Sequence, residues 1–267
     1  MERSNVTCCK NGIFSVDSYY NGPGIASIYI IRDGRSAAIV DTAHNDSLEQ
    51  VKCAMREIGI PDGEVEFIFL THVHLDHAGG VGRYAEEFPN ARVIVHERGA
   101  RHVVDPRRLA AAAAEIRGKE TMDRLHGQLL PVRTDRVHSP KHGDEFRVGD
   151  HVVVCLDTPG HTHHHLTYHD ASAQAVFSGD AYGMSFMEMT GPEGRCAVLS
   201  TSPAQFDPDA MLVSMRLIES LNPKHLYPTH FGEMPIGGTI SESLHRQLNL
   251  YVKTAIEADG DIDSIRI

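Results

Sequence analysis

Apolar positions along the chain change their period several times, and each change predicts an element. Residues 24–31 (Gly-Ile-Ala-Ser-Ile-Tyr-Ile-Ile) alternate weakly and predict a strand. Arg32-Asp33-Gly34-Arg35 centres Asp-Gly in a hairpin turn, and residues 37–40 return as a second strand that ends at Asp41-Thr42. Leu48, Val51, Met55 and Ile58 recur at helical spacing over residues 47–58, with Gly59 as the stop. Pro61-Asp62-Gly63 then leads into an apolar β-prone run, residues 66–70. A short helix over 82–88 and a strand over 91–95 follow. Residues 96–127, rich in alanine at 110–114, read as helical and longer than a plain crossover needs. They predict a helical insertion placed to cover the loop after residue 70, with a simple packing helix as the alternative.

Residues 132–154 carry further strands, with Gly-Asp turns at 143–144 and 149–150, and 152–156 is the strongest run. Residues 175–180 form a strand that ends on a carboxylate, and 225–232 form one that ends on another histidine. Amphipathic helices are expected at 208–221 and 241–258. No repeat, low-complexity linker or boundary divides the chain, so one unit over 1–267 is expected. Two halves rich in strands fit an α+β fold, a four-layer αββα sandwich with two mixed sheets face to face and helices outside.

Composition narrows the function. The chain has 267 residues, is 41% hydrophobic and carries a formal net charge of −11, which disfavours nucleic acid as a partner. Five cysteines without C-x-x-C spacing argue for free thiols in a reducing compartment. The N-terminus reads as no signal peptide and no run reaches membrane-spanning length, so a cytoplasmic protein with no membrane partner is expected. A small-molecule substrate fits this picture, and a homodimer stays open.

The chemistry concentrates in Thr71-His72-Val73-His74-Leu75-Asp76-His77-Ala78-Gly79-Gly80. Three imidazoles and one carboxylate fall within six residues of this loop. On an extended backbone His72 and His74 project to one side, while Asp76 and His77 follow where the chain bends toward a helix. Two ligand pairs leaving one loop in two directions suit two adjacent cations. Imidazole and carboxylate suit zinc, iron or manganese without any thiolate. The small residues 78–80 let the backbone pass close to the metals.

The loop resembles the H-x-H-x-D-H signature of the metallo-β-lactamase-fold superfamily, and the resemblance extends over roughly residues 24–232. Thr-Pro-Gly-His-Thr at 158–162, Phe-Ser-Gly-Asp at 177–180 and Pro-Thr-His-Phe-Gly at 228–232 are similar to its later metal motifs. The resemblance implies that His72, His74 and His161 hold a first metal, that Asp76, His77 and His230 hold a second, and that Asp180 bridges them. Zinc comes first as the metal, with iron or manganese as alternatives. Asp41 matches an acidic position that props the metal loop. His163, His164 and His165 follow His161 directly and read either as ordinary polar residues or as rings that bond a ligand imidazole or line the pocket, while the other histidines read as ordinary polar residues. Tyr182, Met184, Phe186, Met187 and His165 are expected to border the substrate pocket.

The implied activity is hydrolysis of an ester, thioester or lactone of a small, partly apolar metabolite by a metal-bridging water, with Asp76 as ligand and proton shuttle. Asp180 argues against the true β-lactamases of the family, which lack the bridging aspartate. His74 stands where flavin-linked diiron reductases carry glutamate. Glyoxalase-II-like thioesterases, lactonases and related esterases remain. The alternatives are a non-haem iron oxidoreductase resembling sulfur dioxygenases, and a metal-containing regulatory protein that binds a ligand with little turnover.

Overall fold

The computed structural model describes residues 5–191, 194–201 and 205–258, apart from the side chain of Met187. Strands β1 (Val6–Cys8), β2 (Ile13–Asp17), β3 (Ser27–Asp33), β4 (Ser36–Val40), β5 (Val65–Phe69), β6 (Arg92–Ile94) and β7 (Val137–His138) form one sheet in chain order. Its first three pairings are antiparallel and its last three parallel. Next in the chain come β8 (Glu145–Val148), β9 (His151–Asp157), β10 (Leu166–Asp170) and β11 (Ala175–Gly179), a small ribbon of β12 (Thr190–Gly191) and β13 (Gly194–Arg195), and β14 (His225–Pro228). The second sheet runs β14-β11-β10-β9-β8, with only β11 and β14 parallel. Helices α1 (Ser47–Ile58), α2 (Leu75–Ala78), α3 (Val81–Glu87), α4 (Glu97–Val104), α5 (Arg107–Arg117) and α6 (Lys119–Leu125) belong to the first half. Helices α7 (Pro208–Ser220) and α8 (Gly238–Glu257) belong to the second.

Strand alternation builds the layers. On β3, Tyr29 and Ile31 face the second sheet, where they pack with Val153, Tyr168, Phe177 and Tyr227. Their neighbours Ile28 and Ile30 face the other way, onto Leu48, Val51 and Met55 of α1 and Tyr84 of α3. On the second sheet Val176 and Leu226 turn outward to Met211 and Met215 of α7 and Leu244 and Leu248 of α8. These are the two mixed sheets with helices outside that the sequence leads one to expect.

Local chemistry sets the helix ends. Gly59 takes the left-handed conformation, φ 74°, and its N–H reaches back to the carbonyls of Met55 and Arg56, closing α1. Asp207 caps α7 through the Ala210 N–H, with Pro208 in the first turn. Among the described residues no helix is long and apolar enough to cross a membrane.

Three expectations change. The insertion at 96–127 is three helices, because Pro106 and Gly118 (φ 83°) break the run. Its middle helix, α5, buries no residue. The strand expected over 225–232 stops at Pro228, and residues 229–232 turn into the region between the sheets. Strands β1, β2 and β10 escape the periodicity reading. β1 is a three-residue edge strand, β2 is a five-residue strand between β1 and β3, and β10 mixes buried Leu166 and Tyr168 with Thr167, His169 and Asp170.

Far from the histidine loop, the His151 ring on β9 bonds Asp170 on β10, Nδ1 to Oδ2, at 2.5 Å. That hydrogen bond is the main cause that raises His151 above the ordinary imidazole value. Burial pushes Asp170 up, but bonds from His151, Ser172 and the Ala173 N–H outweigh it and leave the carboxyl lowered. The folded ring therefore titrates above the unfolded one. Its stabilisation is complete below the unfolded value of about 6.5 and is lost as pH rises through the folded value. The carboxyl's share exists above about pH 4 and is lost as pH falls through its depressed value. We expect His151→Gln to lower the melting temperature most at about pH 5–6 and progressively less as pH rises through the ring's folded value. Thermal melts of both proteins across that range test this, and a gap independent of pH contradicts it.

Candidate metal centre

The site lies where strands end. Strands β9, β11 and β14 run in one direction, and the residues just beyond them include His161, Asp180 and His230. From the first sheet, β4 ends at Asp41 and its parallel neighbour β5 runs into the histidine loop. Leu70 still pairs with β6 through the Ile94 carbonyl, but the next N–H, of Thr71, is donated to Asp41 Oδ1 at 2.8 Å. The chain leaves the sheet at that point. His74 then stands before α2, where the Ala78 N–H bonds its carbonyl, and α2 carries Asp76 and His77.

Three groups of side chains converge, each with its ligand atoms within 4.8 Å of one another: His72, His74 and His161; His72, His77 and Asp180; Asp76, His77 and His230. In the first, His74 Nδ1 lies 2.9 Å from His72 Nε2 and 3.1 Å from His161 Nε2. In the last, Asp76 Oδ2 lies 3.4 Å from His230 Nε2 and 3.9 Å from His77 Nε2. Asp180 stands between them. Its Oδ2 is 3.4 Å from His161 Nε2, whereas its Oδ1 is 3.4 Å from His77 Nε2 and 4.0 Å from His230 Nε2.

The far sides of three of the rings are fixed. His77 Nδ1 donates to Asp41 Oδ2 at 2.9 Å, and His230 Nδ1 donates to the Ile25 carbonyl at 2.9 Å. A carboxylate and a carbonyl only accept, so Nε2 of both rings is left to bind elsewhere. His161 Nδ1 meets Ser200 Oγ at 3.1 Å, and that hydroxyl donates to Asp180 Oδ2 at 2.9 Å. Two buried atoms, His77 Nε2 and Asp180 Oδ1, have no hydrogen-bond partner. Such atoms are costly in an interior, and a divalent cation would satisfy both. The donor set is nitrogen and oxygen without thiolate, which fits zinc, iron or manganese.

Electrostatics differ across the site. Burial holds His72 well below the ordinary imidazole value, helped by the neighbouring His77, His74 and His161 rings. Burial, with His161, brings His74 down to about 4. These rings are neutral, as a ligand must be. At His77 burial also disfavours the charged ring, but Asp180, Asp41 and Asp76 together raise it to about 10. Burial likewise disfavours a charged His230, and Asp76 and Asp180 raise it. Positive charge is therefore favoured where the carboxylates gather, and a cation can carry it in place of protons.

All seven residues expected as ligands meet here, with Asp41 behind His77. Asp41 is 1% exposed, lies at φ 59°, and also accepts from the hydroxyls of Thr71 and Thr229. The expected pocket set fares differently. Phe186 borders the site, its ring 5.8 Å from that of His230. Tyr182 does not. It is buried among Met211, Met215 and Leu244, and its hydroxyl donates to Glu219 at 2.8 Å. His165 is fully buried behind the site, where its Nε2 accepts the Asp180 N–H at 3.1 Å and its Nδ1 meets Thr158 Oγ1 at 2.9 Å. It positions the aspartate and faces no pocket. Met184 pairs through its main chain with Val198, and the Met187 side chain lies outside the described residues.

The glycines after α2 also act differently from expectation. A Cβ on Gly79 would lie 2.4 Å from the Leu75 carbonyl oxygen and 2.8 Å from that of Ala43. One on Gly80 would lie 2.7 Å from the His44 carbonyl oxygen. What these glycines admit is the backbone after β4, not the metals. His126, at the end of the insertion, packs its Nδ1 in the same place and bonds Tyr20 across 3.4 Å. Sequence reasoning missed Ser200, Tyr20 and His126, because a lone serine, tyrosine or histidine in a loop carries no pattern. Thr229 stood next to a motif residue and was the one legible case.

Sheets that meet at a centre of histidines and aspartates define an αββα class built around cation ligands. The chain belongs to the metallo-beta-lactamase superfamily, whose family model matches residues 21–230. The archaeal superfamily protein ST1585 of Sulfurisphaera tokodaii has the same fold, with TM-score 0.68 over 94% of this chain and 100% of that one at 21% identity. A hydroxyacylglutathione hydrolase of Synechococcus is 30% identical over 155 residues, 57% of this chain and 47% of that protein. An acyl-coenzyme A thioesterase of Gallus gallus is 27% identical over 195 residues, 64% of this chain and 62% of that protein. The chain thus spans about half to two thirds of the length of these two curated relatives.

Asp41→Asn puts an amide among four donors. We expect it to cost about 2–4 kcal/mol in urea unfolding and to weaken divalent-cation binding about 10–100-fold. Unchanged unfolding together with unchanged cation affinity would show that Asp41 props nothing.

Proposed function

We propose that the protein is a hydrolase that works with two divalent cations and cleaves a thioester of a small molecule, with esters and lactones as the wider class. The observation that carries this reading is the Asp180 carboxylate, whose two oxygens face two different ligand clusters. His72, His74 and His161 would hold one cation, Asp76, His77 and His230 the other, with Asp180 shared. Two such cations, when bound, supply Lewis acidity and bring the pKa of a water molecule to about 7.

The chain's own groups do the rest. Asp41, Ser200 and the Ile25 carbonyl hold His77, His161 and His230 from behind, so the ligand geometry is set before substrate arrives. Asp76 has 20% side-chain exposure against 6% for Asp180, so it is the carboxylate able to exchange a proton with solvent. Phe186 beside His230 gives the substrate an apolar wall. The names of two relatives, a hydroxyacylglutathione hydrolase and an acyl-coenzyme A thioesterase, support placing thioesters first.

Metal analysis of unchelated protein, joined to a panel of thioesters, esters, lactones and phosphodiesters, tests the reading. We expect two cations per chain and turnover of a thioester. Asp180→Asn should retain one cation or fewer, keep cooperative unfolding and lose about three orders of magnitude in turnover. One cation at saturation, or near-normal turnover in the variant, overturns the two-cation arrangement. Iron together with oxygen uptake on a persulfide, and no hydrolysis, moves the protein to the oxidoreductases.

A further inference from the structure

Beside the cluster of His72, His74 and His161 opens a cavity of about 420 Å³, within the range of small-ligand sites. One wall is a face of α4. Arg98, Arg101 and His102 stand at i, i+3 and i+4, so they share that face. The Arg101 Nε donates to His102 Nε2 at 3.2 Å, which turns the guanidinium relative to the ring. The opposite wall is the segment after His161, with His163, His164 and Gln205, where the His163 N–H donates to Gln205 Oε1 at 3.3 Å. His164 connects the cavity to the centre. It is 7% exposed, and its ring lies 6.1 Å from that of His74 and 6.2 Å from that of His72.

The charge in this cavity runs against that of the chain. In a protein of net charge −11, two arginines and three imidazoles face one space whose only acid among the described residues is Glu97. Arg98 and Arg101 are exposed, and neither is ion-paired to a carboxylate among the described residues. Asp157, the nearby acid, is engaged by His96 at 3.5 Å. Like charges collected on one helix face cost stability unless an anion offsets them. The guanidinium fork matches the oxygens of phosphate and carboxylate, and a cleft of one sign concentrates ligands of the other.

We propose that this cavity is an anion subsite, in which Arg98 and Arg101 seat a phosphate or carboxylate carried by the leaving arm of the substrate. The subsite sets specificity without touching the bond that breaks. It rests on the hydrolase reading only for the statement that the anion belongs to a leaving arm.

Calorimetric titration of the wild type and of Arg98→Gln/Arg101→Gln tests it with three probes that share a thiol. Coenzyme A carries phosphates, glutathione carries carboxylates, and pantetheine carries neither, so binding of the thiol to the centre cancels. Both arginines are exposed, and a melting curve checks that the variant folds. We expect the wild type to bind coenzyme A or glutathione about tenfold more tightly than pantetheine, an advantage that added salt reduces and the variant loses. Preference for coenzyme A assigns phosphate, and preference for glutathione assigns carboxylate. Equal affinity of wild type and variant for both anionic probes overturns the subsite. Thioester turnover is read separately: its failure removes the proposed reaction and leaves the binding result standing.

Discussion

Asp41 is a carboxylate removed from water and surrounded by donors. The Thr71 N–H and hydroxyl, the Thr229 hydroxyl and the His77 ring all point at it, and it is 1% exposed. A buried charge survives only when its lone pairs are met, so the donors have little freedom to leave. They come from the loop after β5, from α2 and from the loop after β14. The carboxylate itself ends β4. One side chain therefore ties both sheets and the ligand loop at the point where the strands stop. The His77 ring behind which it stands is ordered by folding and need not be ordered again by a cation.

The centre is uneven. Toward α4 burial keeps the His72 and His74 rings neutral, and toward His230 carboxylates outnumber what the rings can balance. Asp180 lies at the seam. Its backbone is held by His165 and one of its oxygens by Ser200, so its position between the two clusters depends on residues outside both. The outer surroundings extend this asymmetry. Arginines and histidines stand outside the neutral imidazoles, and an apolar ring stands over the acidic side.

Much of this was legible in the sequence because it is local. The ligand loop packs its chemistry into six residues, the stop at Gly59 falls one residue beyond an apolar stripe, and Asp41 follows a readable strand. What was not legible depends on distant partners. Tyr182 follows Asp180 so closely that a pocket role was the natural reading, yet α7 and α8 bury it and Glu219 takes its hydroxyl. His165, one of a run of histidines, read as a pocket residue, and only the return of β11 shows that it holds the Asp180 N–H. The insertion read as continuous because alanine propensity spoke louder than one proline and one glycine. Strand β10 was hidden because its polar residues are satisfied across the sheet, as Asp170 is by His151.

Gly79 and Gly80 bring the ligand helix within a carbonyl's reach of the chain after β4. Their consequence is for mutational tolerance. A methyl group is the smallest addition that substitution can make at a glycine, and at both positions it already collides with main-chain oxygen. A lost ligand can sometimes be replaced by another donor residue, but there is no smaller residue to fall back on here. The cluster of histidines and aspartates is thus as exposed to genetic damage at Gly79 and Gly80, which lie outside it, as at the residues that compose it.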